Sequence, residues 1–396
     1  MDAVGDAGCG ARHGAPGEGL MRRASWSLIL ACAGTLLAAS GCRPLLGRRD
    51  APVVVDTLFY ISARAREDGR DVARLAESLE YGMVFTRRPI LDDPATDGGR
   101  IQVLDTLVLS REAFVDALAG CAANPTEPER FAVMYTHGYG TSLRDLWEHA
   151  AMARLRARGT QPWIVFAWPS IGSGVAWPRA GEVLTAAYRR DSASAAESRD
   201  AFSAALSTAH AATGGARLML VAHSLGGQLV GETFRQDSAL RRSLSADPLR
   251  AMAFVSPDIA LERFGDSVAP AARPLAQRLL LYASSDDRVL YFSSVVNDTE
   301  RAGRIAGGRP SIPVFTGVES VDMTDGQYAN SWLVHAFGTR HALRRKSAAL
   351  FDLVHIVGAQ RPPECRLQLG TAERMDGGAW RLTPKPVPAL SAAARC

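Results

Sequence analysis

A strand, a tight turn and a helix follow one another within residues 217–235, and this succession most constrains the fold. The apolar run 217–221 leads into Ala222-His223-Ser224-Leu225-Gly226-Gly227, and a helix-like stretch follows at 228–235. The layout is typical of a nucleophile elbow, whose strained turn lifts one serine hydroxyl above a strand end. Gly226 keeps side chains out of the bend, and Ala222 stands where glycine is usual. The alternative is an ordinary strand–turn–helix with an exposed serine.

A second motif follows an earlier strand-like run, at 131–135, as His137-Gly138-Tyr139-Gly140. In proteins with a nucleophile elbow, such a His-Gly turn supplies one backbone N–H of an oxyanion hole. The residue after the nucleophile supplies the other. The pattern therefore predicts an oxyanion hole built from the backbone N–H groups of Tyr139 and Leu225. Because both donors are backbone groups, the side chain at 139 is free to vary.

Strand-like and helix-like segments alternate along most of the chain. Predicted strands are 53–60, 81–85, 101–109, 131–135, 163–167, 217–221, 251–255, 279–283 and 312–318. Residues 63–80 are charged and helix-tolerant. Helical stretches include 110–119, 145–158 and 191–212, the last with Ser194 and Glu197 spaced like a capping box. This order predicts an α/β fold with a mostly parallel central sheet and helices on both faces. The net charge of +4 comes from scattered basic residues, which argues against nucleic-acid binding.

The first 42 residues are predicted to be a leader. Met21-Arg22-Arg23, an alternative start, precedes an apolar stretch at 26–39 that is short for a membrane span. Its ending, Leu37-Ala38-Ala39-Ser40-Gly41-Cys42, resembles a bacterial lipoprotein signal. Export across the inner membrane and lipidation of Cys42 are expected, with simple secretion or a plain membrane anchor as alternatives. A tether at 43–52, a domain at 53–360 and a tail at 361–396 would follow.

Three cysteines lie beyond Cys42, and their spacing does not suggest a metal site. In an exported protein, two of Cys121, Cys365 and Cys396 could form a disulfide, leaving one thiol over. A Cys365–Cys396 bond would tie down the tail, but the sequence leaves the pairing open.

A serine hydroxyl needs a base to take its proton and an acid to orient that base. In chains with this elbow, the order is serine, acid, histidine. Asp286 and Asp287 follow the strand at 279–283, and either could be the acid. The alternative for both is capping of the next helix. Asp258, one strand earlier, is a competitor.

Three histidines follow Ser224, at 335, 341 and 355. His355 falls within an apolar helical pattern and is expected to be partly packed in the core. His335 and His341 both fit a loop-to-helix junction after the last strand. Periodicity does not separate these two as the base.

Several motifs together resemble a bacterial α/β-hydrolase family of largely unknown function. The resemblance covers roughly 53–358 and rests on these residues: Tyr81-Gly82, His137-Gly138-Tyr139, Trp168-Pro169-Ser170, the spacing of Tyr188, Asp191 and Ser198, Ala222 to Gly226, Ser256-Pro257-Asp258 and Tyr282 to Arg288.

The resemblance implies an α/β-hydrolase fold and a Ser-Asp-His triad. It favours Asp287 as the acid through its Ser-x-x-Asp pattern. It favours His341 as the base, because that residue precedes Asp352-Leu353 by about a dozen positions. Trp168-Pro169-Ser170 would shape the pocket wall, and Asp191 would cap a helix.

The expected function is hydrolysis of a carboxylic ester through an acyl-enzyme, with Ser224, His341 and Asp287 as the triad. The substrate would be a small-molecule or lipid-like ester, and the chemistry requires no metal or organic cofactor. A lipid anchor at Cys42 would make the membrane a partner. One alternative is a lipid-anchored, non-catalytic binding module on the same fold. The other is an acyltransferase that uses the same residues.

Overall fold

The structure is a computed structural model that describes residues 12–13, 53–68, 70–89, 101–123, 130–170, 181–306, 312–325, 347–384, 388–394 and 396. The twelve strands in this part of the chain form one sheet. They are β1 (Arg12–His13), β2 (Val53–Glu67), β3 (Arg70–Pro89), β4 (Gln102–Leu109), β5 (Ala132–Thr136), β6 (Trp163–Ala167), β7 (Leu218–His223), β8 (Ala251–Val255), β9 (Leu279–Ala283), β10 (Glu319–Asp322), β11 (Ala372–Arg374) and β12 (Trp380–Leu382).

The sheet order is β11-β12-β10-β9-β8-β7-β5-β6-β2-β3-β4, and β1 pairs with β2. Neighbouring strands from β12 through β10 and β5 to β2 run parallel. The pairs β1–β2, β2–β3, β3–β4 and β11–β12 are antiparallel. The sheet is therefore mostly parallel, with antiparallel strands at its two ends.

The α-helices of the described residues cover the two faces of this sheet. They are α1 (Arg111–Ala122), α2 (Leu143–Ala157), α3 (Gly181–Glu197), α4 (Arg199–Thr213), α5 (Leu225–Gln236), α6 (Ser238–Ala246), α7 (Leu261–Arg263), α8 (Ala269–Ala272), α9 (Arg288–Val296), α10 (Ser347–Phe351), α11 (Cys365–Gln368) and α12 (Leu390–Ala394). A π-helical turn, Asp352–Gly358, continues α10. None of the described helices is both long enough and apolar enough to cross a membrane.

Strand β7 shows how one sequence supplies both halves of the core. Its side chains alternate, so Leu218 and Leu220 face one hydrophobic cluster while Met219 and Val221 face another. The first cluster includes residues of α1, α4 and α5, and the second includes residues of α2 and α10. A strand buried on both faces reads as a continuous apolar run, which is why the sequence reveals it.

Residues 63–80 are helix-tolerant in sequence, but those that the structure describes lie almost entirely in strand. β2 and β3 continue as a long hairpin as far as the pair Glu67–Arg70, with Asp68 in the left-handed region (φ 50°) at the turn. Ion pairs link the two strands, from Arg66 to Asp71 (3.3 Å) and to Glu80 (3.0 Å). Cross-strand pairing overrides the helical tolerance of a charged segment, because strand preference depends on neighbours that are distant in sequence.

Two other predicted boundaries are wrong. The expected strand at 312–318 begins only at Glu319, because a turn precedes it in which Gly317 adopts a φ of 72°. The expected helix at 191–212 is two helices that break at Ser198, and Ser194 and Glu197 lie in the last turn of α3. The capping-box interpretation is therefore wrong. The Ser194 hydroxyl instead donates to the Pro169 carbonyl (2.5 Å).

The segment 361–396, expected to be a tail, adds β11 and β12 to the sheet. A disulfide joins Cys365 to Cys396, which is one of the pairings that the sequence left open. Cys121 is also disulfide-bonded, so the expectation of a leftover thiol is wrong. The leader and tether, including Cys42, lie outside the described residues apart from β1.

Candidate active site

The strand order reverses beside β5, and this reversal indicates where on the sheet a ligand site is expected. From β5 the chain moves to β6 on one side, then crosses to β7, β8 and β9 on the other. In open α/β sheets, ligands bind in the crevice outside the carboxyl ends of the strands at such a switch point. Thr136 pairs with Ala222 at the ends of β5 and β7, so the two motif-bearing turns leave the sheet side by side.

Ser224 occupies a strained turn between β7 and α5. Its φ of 57° and ψ of −124° lie outside the regions that residues with a Cβ ordinarily adopt. The Ser224 N–H donates to the Val255 carbonyl (3.1 Å), and the Ser224 carbonyl accepts from the N–H groups of Gly227 (2.9 Å) and Asp258 (3.0 Å). These bonds hold the elbow in its strained geometry. The side chain is 1% exposed, so the hydroxyl is enclosed by protein rather than standing open above the sheet edge.

Glycines allow the turns after β5 and β7 to touch. A Cβ added at Gly138 would lie 2.6 Å from Ser224 Cβ and 3.0 Å from its Oγ. A Cβ added at Gly226 would lie 2.5 Å from the His137 carbonyl oxygen. Both distances are shorter than real Cβ contacts. The loop after β5 therefore packs directly against the Ser224 side chain.

Tyr139 and Leu225, whose backbone N–H groups were predicted to form the oxyanion hole, directly follow the two residues in contact, Gly138 and Ser224. Neither donates a hydrogen bond to any residue that the structure describes. Buried amides are normally paired, so unpaired ones next to a serine hydroxyl can bind a ligand oxygen.

His137 locks the base of the loop. Its Nδ1 lies 2.9 Å from the Gly138 carbonyl oxygen, and its ring stacks on Trp168 with centroids 4.8 Å apart. Trp168 Nε1 donates to the His137 carbonyl (2.9 Å). Burial lowers the pKa of His137 to about 3, so the ring is neutral at ordinary pH. Trp168, expected in the pocket wall, is fully buried and holds this loop instead.

Asp191 is not a helix cap, contrary to the expectation from the sequence. It lies inside α3, fully buried, and accepts from the Gly140 N–H and the Ser170 hydroxyl. Arg64, at the carboxyl end of β2, donates to carbonyl groups of the same loops. Arg64 is not recognisable from the sequence, where its only signal is a charge just beyond an apolar run.

The candidate acids have different surroundings. Asp287 is fully buried and caps α9 by accepting from the Leu290 N–H (3.0 Å), as the capping alternative predicts. Asp286 is half-buried and accepts from the Ser284 hydroxyl. Both follow β9 directly, at the edge of the sheet that carries Ser224.

Asp258 belongs to a buried polar cluster. Its carboxylate accepts from the hydroxyls of Tyr188 (2.9 Å) and Ser293 (2.6 Å) and pairs with Arg301 (3.2 Å). Burial and the Asp258 charge raise the pKa of Tyr188 to about 12, so this hydroxyl keeps its proton. The Tyr188 ring also lies against Tyr139, with centroids 6.2 Å apart. Asp258 is thus neutralised by an arginine while its backbone N–H holds the elbow.

Of the three histidines, the structure describes only His355, and His335 and His341 lie outside the described residues. His355 packs in the π-helical turn, where its Nε2 lies 2.7 Å from the Ala157 carbonyl oxygen. Ala157 ends α2, which runs from the carboxyl edge of the sheet back to its amino edge. His355 therefore lies at the edge opposite Ser224. The described residues contain no cluster of His, Cys, Asp and Glu that could hold a metal ion.

Among solved structures, the chain is similar to an arylesterase, with 12% identity, a TM-score of 0.28 and coverage of 75% of this chain and 85% of the other. It is also similar to a hyperthermophilic esterase from the archaeon Pyrobaculum calidifontis (13% identity, TM-score 0.29, coverage 76% and 83%). A third is dipeptidyl peptidase 4 of Porphyromonas gingivalis (14% identity, TM-score 0.25), of which the chain spans 48%. Similarities at these identities and TM-scores do not bear on activity. No curated protein matches the chain.

The family assignment rests on a separate match. A family pattern fits residues 122–342, which include both turns at the switch point, and the predicted mostly parallel sheet with helices on both faces is confirmed. The chain belongs to the family described as alpha/beta hydrolase of unknown function (DUF900).

Proposed function

We propose that the protein is a serine hydrolase that cleaves carboxylic esters through an acyl-enzyme. Ser224 Oγ attacks the ester carbonyl carbon while His341 takes its proton, and Asp287 orients the imidazole. The carbonyl oxygen becomes an oxyanion held by the N–H groups of Tyr139 and Leu225. His341 then protonates the leaving alcohol, and water repeats the sequence to release the acid and free Ser224.

One observation carries this proposal, namely the contact between the Ser224 elbow and the glycine loop at the switch point. A φ of 57° is energetically unfavourable for serine and persists only where the surrounding structure enforces it. Backbone strain of this kind clusters at active sites. Gly138 brings the backbone within reach of the hydroxyl, and two unpaired N–H groups lie beside it. An ordinary strand–turn–helix requires none of these features.

The surroundings of the carboxylates support Asp287 over Asp258 as the acid. Arg301 already pairs with the buried Asp258 carboxylate. If Asp258 turned away to hold an imidazole, the Arg301 charge would be left buried without this partner. Asp287 follows β9 and is fixed by its cap on α9, which suits a group that must hold an imidazole in one orientation. The choice of His341 over His335 rests on the family resemblance.

The test is labelling with a fluorophosphonate, which phosphonylates activated serines. We expect the wild type to be labelled on the peptide that contains Ser224, and Ser224→Ala to lose both labelling and turnover of short-chain p-nitrophenyl esters. Ser256→Ala is a matched control, because Ser256 also adopts a positive φ (42°) at the end of the neighbouring strand. Unlabelled, folded wild-type protein, or equal turnover by Ser224→Ala, would contradict the proposal.

The same assay separates hydrolysis from acyl transfer. With an added alcohol, a hydrolase releases the free acid, whereas an acyltransferase forms a new ester from the same acyl-enzyme. Parallel measurements on His341→Ala and His335→Ala assign the base, because only the true base contributes to deprotonating Ser224.

We also propose that the protein is exported and anchored through a lipid on Cys42. The disulfide Cys365–Cys396 supports an oxidising compartment, where such bonds persist. Membrane fractionation of a Cys42→Ala variant tests the anchor. Membrane association equal to that of the wild type would contradict lipidation at this position.

A further inference from the structure

The loop that carries Tyr139 is tied to one buried carboxylate on α3. Asp191 Oδ2 accepts from the Gly140 N–H (2.9 Å) and from the Ser170 hydroxyl (2.5 Å). Ser170 Oγ in turn accepts from the Thr141 N–H (3.0 Å). The two amides that follow Tyr139 are therefore both linked to Asp191, one directly and one through a serine.

The peptide group that contains the Tyr139 N–H is held from its opposite side. The carbonyl of this peptide belongs to Gly138, and it accepts from the Thr141 hydroxyl (3.2 Å) and lies 2.9 Å from His137 Nδ1. In a planar trans peptide, the N–H points opposite to the C=O. Fixing the Gly138 carbonyl therefore fixes the direction of the Tyr139 N–H, and Thr141 can do so only if its own backbone is held.

The charge of Arg64 interacts with that of Asp191 next to the same loop. Its guanidinium donates to the carbonyl oxygens of Thr141 (2.5 Å) and Ser170 (3.0 Å), and the residue is 6% exposed. Burial lowers the pKa of Arg64 to about 10, so the group stays charged at neutral pH. An uncompensated carboxylate near the loop would disfavour negative charge forming beside Ser224.

We propose that Asp191 is a positioning residue that aims the Tyr139 N–H at the oxyanion, with Arg64 offsetting its charge. The inference rests on the proposed hydrolase function and deepens it. Because the oxyanion exists only in the tetrahedral states, a misplaced donor weakens the transition state and leaves substrate binding intact. Asp191 therefore acts on kcat and not on KM.

Asp191→Ala tests the proposal. Displacing a catalytic group by about 1 Å can lower kcat about 10²-fold, and we expect a loss of this order with KM unchanged. The rate of phosphonylation of Ser224 should fall in parallel, because that reaction also develops an oxyanion. Asp237→Ala is the matched control, since Asp237 likewise accepts from a backbone N–H (Leu240, 2.8 Å) and a serine hydroxyl (Ser203, 2.6 Å), but as the N-cap of α6. It should keep the wild-type kcat.

Ser170→Ala is the second variant, and it tests the positioning role of Asp191 if Asp191→Ala does not fold. It removes only the link from Thr141 to Asp191, and we expect kcat to fall about tenfold with KM unchanged. Wild-type kcat in folded Ser170→Ala and Asp191→Ala, or a rise in KM alone, would overturn the positioning role. Ser224 labelling in the wild type would still stand in that case, whereas its absence would refute the hydrolase proposal itself.

Discussion

Gly138→Ala offers a sharp test of the contact between the loop and Ser224. The added Cβ would lie 2.6 Å from Ser224 Cβ, 3.0 Å from its Oγ and 3.4 Å from His223 Nδ1. Non-bonded carbons prefer separations of about 3.5–4.0 Å, so the loop and the serine must move apart by roughly 1 Å. A displacement of about 1 Å between catalytic groups lowers the rate about 10²-fold.

The assay is turnover of a short-chain p-nitrophenyl ester together with the phosphonylation rate of Ser224. Gly120→Ala is the control, because a Cβ there meets nothing within 4 Å. It makes the same chemical change within α1, where alanine stabilises a helix by about 0.5–1 kcal/mol relative to glycine. We expect Gly120→Ala to keep full activity and to melt slightly higher. Folded Gly138→Ala with wild-type activity would refute the inferred contact.

Three further predictions concern stability. Arg366→Ala should lower the free energy of unfolding, measured in urea, by about 3–5 kcal/mol, because it leaves the fully buried Asp352 carboxylate without its ion-pair partner at 2.8 Å. A loss under about 1 kcal/mol would contradict that pairing. The double variant Cys365→Ser/Cys396→Ser should lose about 2–5 kcal/mol in the same assay, and reductant should then have less effect than on the wild type. The pKa of His137 falls from 6.5 to about 3 on folding. The contribution of this neutral side chain to the free energy of unfolding is therefore fully present above pH 6.5 and declines as the pH falls toward 3, with a slope of up to about 1.4 kcal/mol per pH unit. A His137→Gln variant with an unchanged slope would contradict this.

The central strands could be predicted because their signal is local. Strands such as β7 and β8 are fully buried, so an unbroken apolar run between turns identifies them. The hairpin at 63–80 could not be predicted in the same way. Its charged residues become strand because β2 pairs with β3 and places Arg66 opposite Asp71, a contact that no local pattern encodes.

The candidate site likewise contains residues that the local sequence reveals and residues that only tertiary contacts reveal. Ser224 and the Gly138-Tyr139 turn are recognisable because each motif follows a strand, and parallel strands bring their carboxyl ends to one edge. The groups that hold the loop are not recognisable. Asp191 resembles a helix cap in sequence, and its role depends on where α3 meets Ser170 in space.

The amino-acid sequence by itself determined the order of the central strands β5 to β9, the strained serine turn and the glycines that let two turns meet. These follow from hydrophobic periodicity and from backbone sterics, which act between near neighbours. Only the tertiary structure decided that Arg64 and Asp191 would hold the loop and that an arginine would neutralise Asp258. Burying a charge is unfavourable without a partner, and the fold supplies such partners from distant parts of the chain.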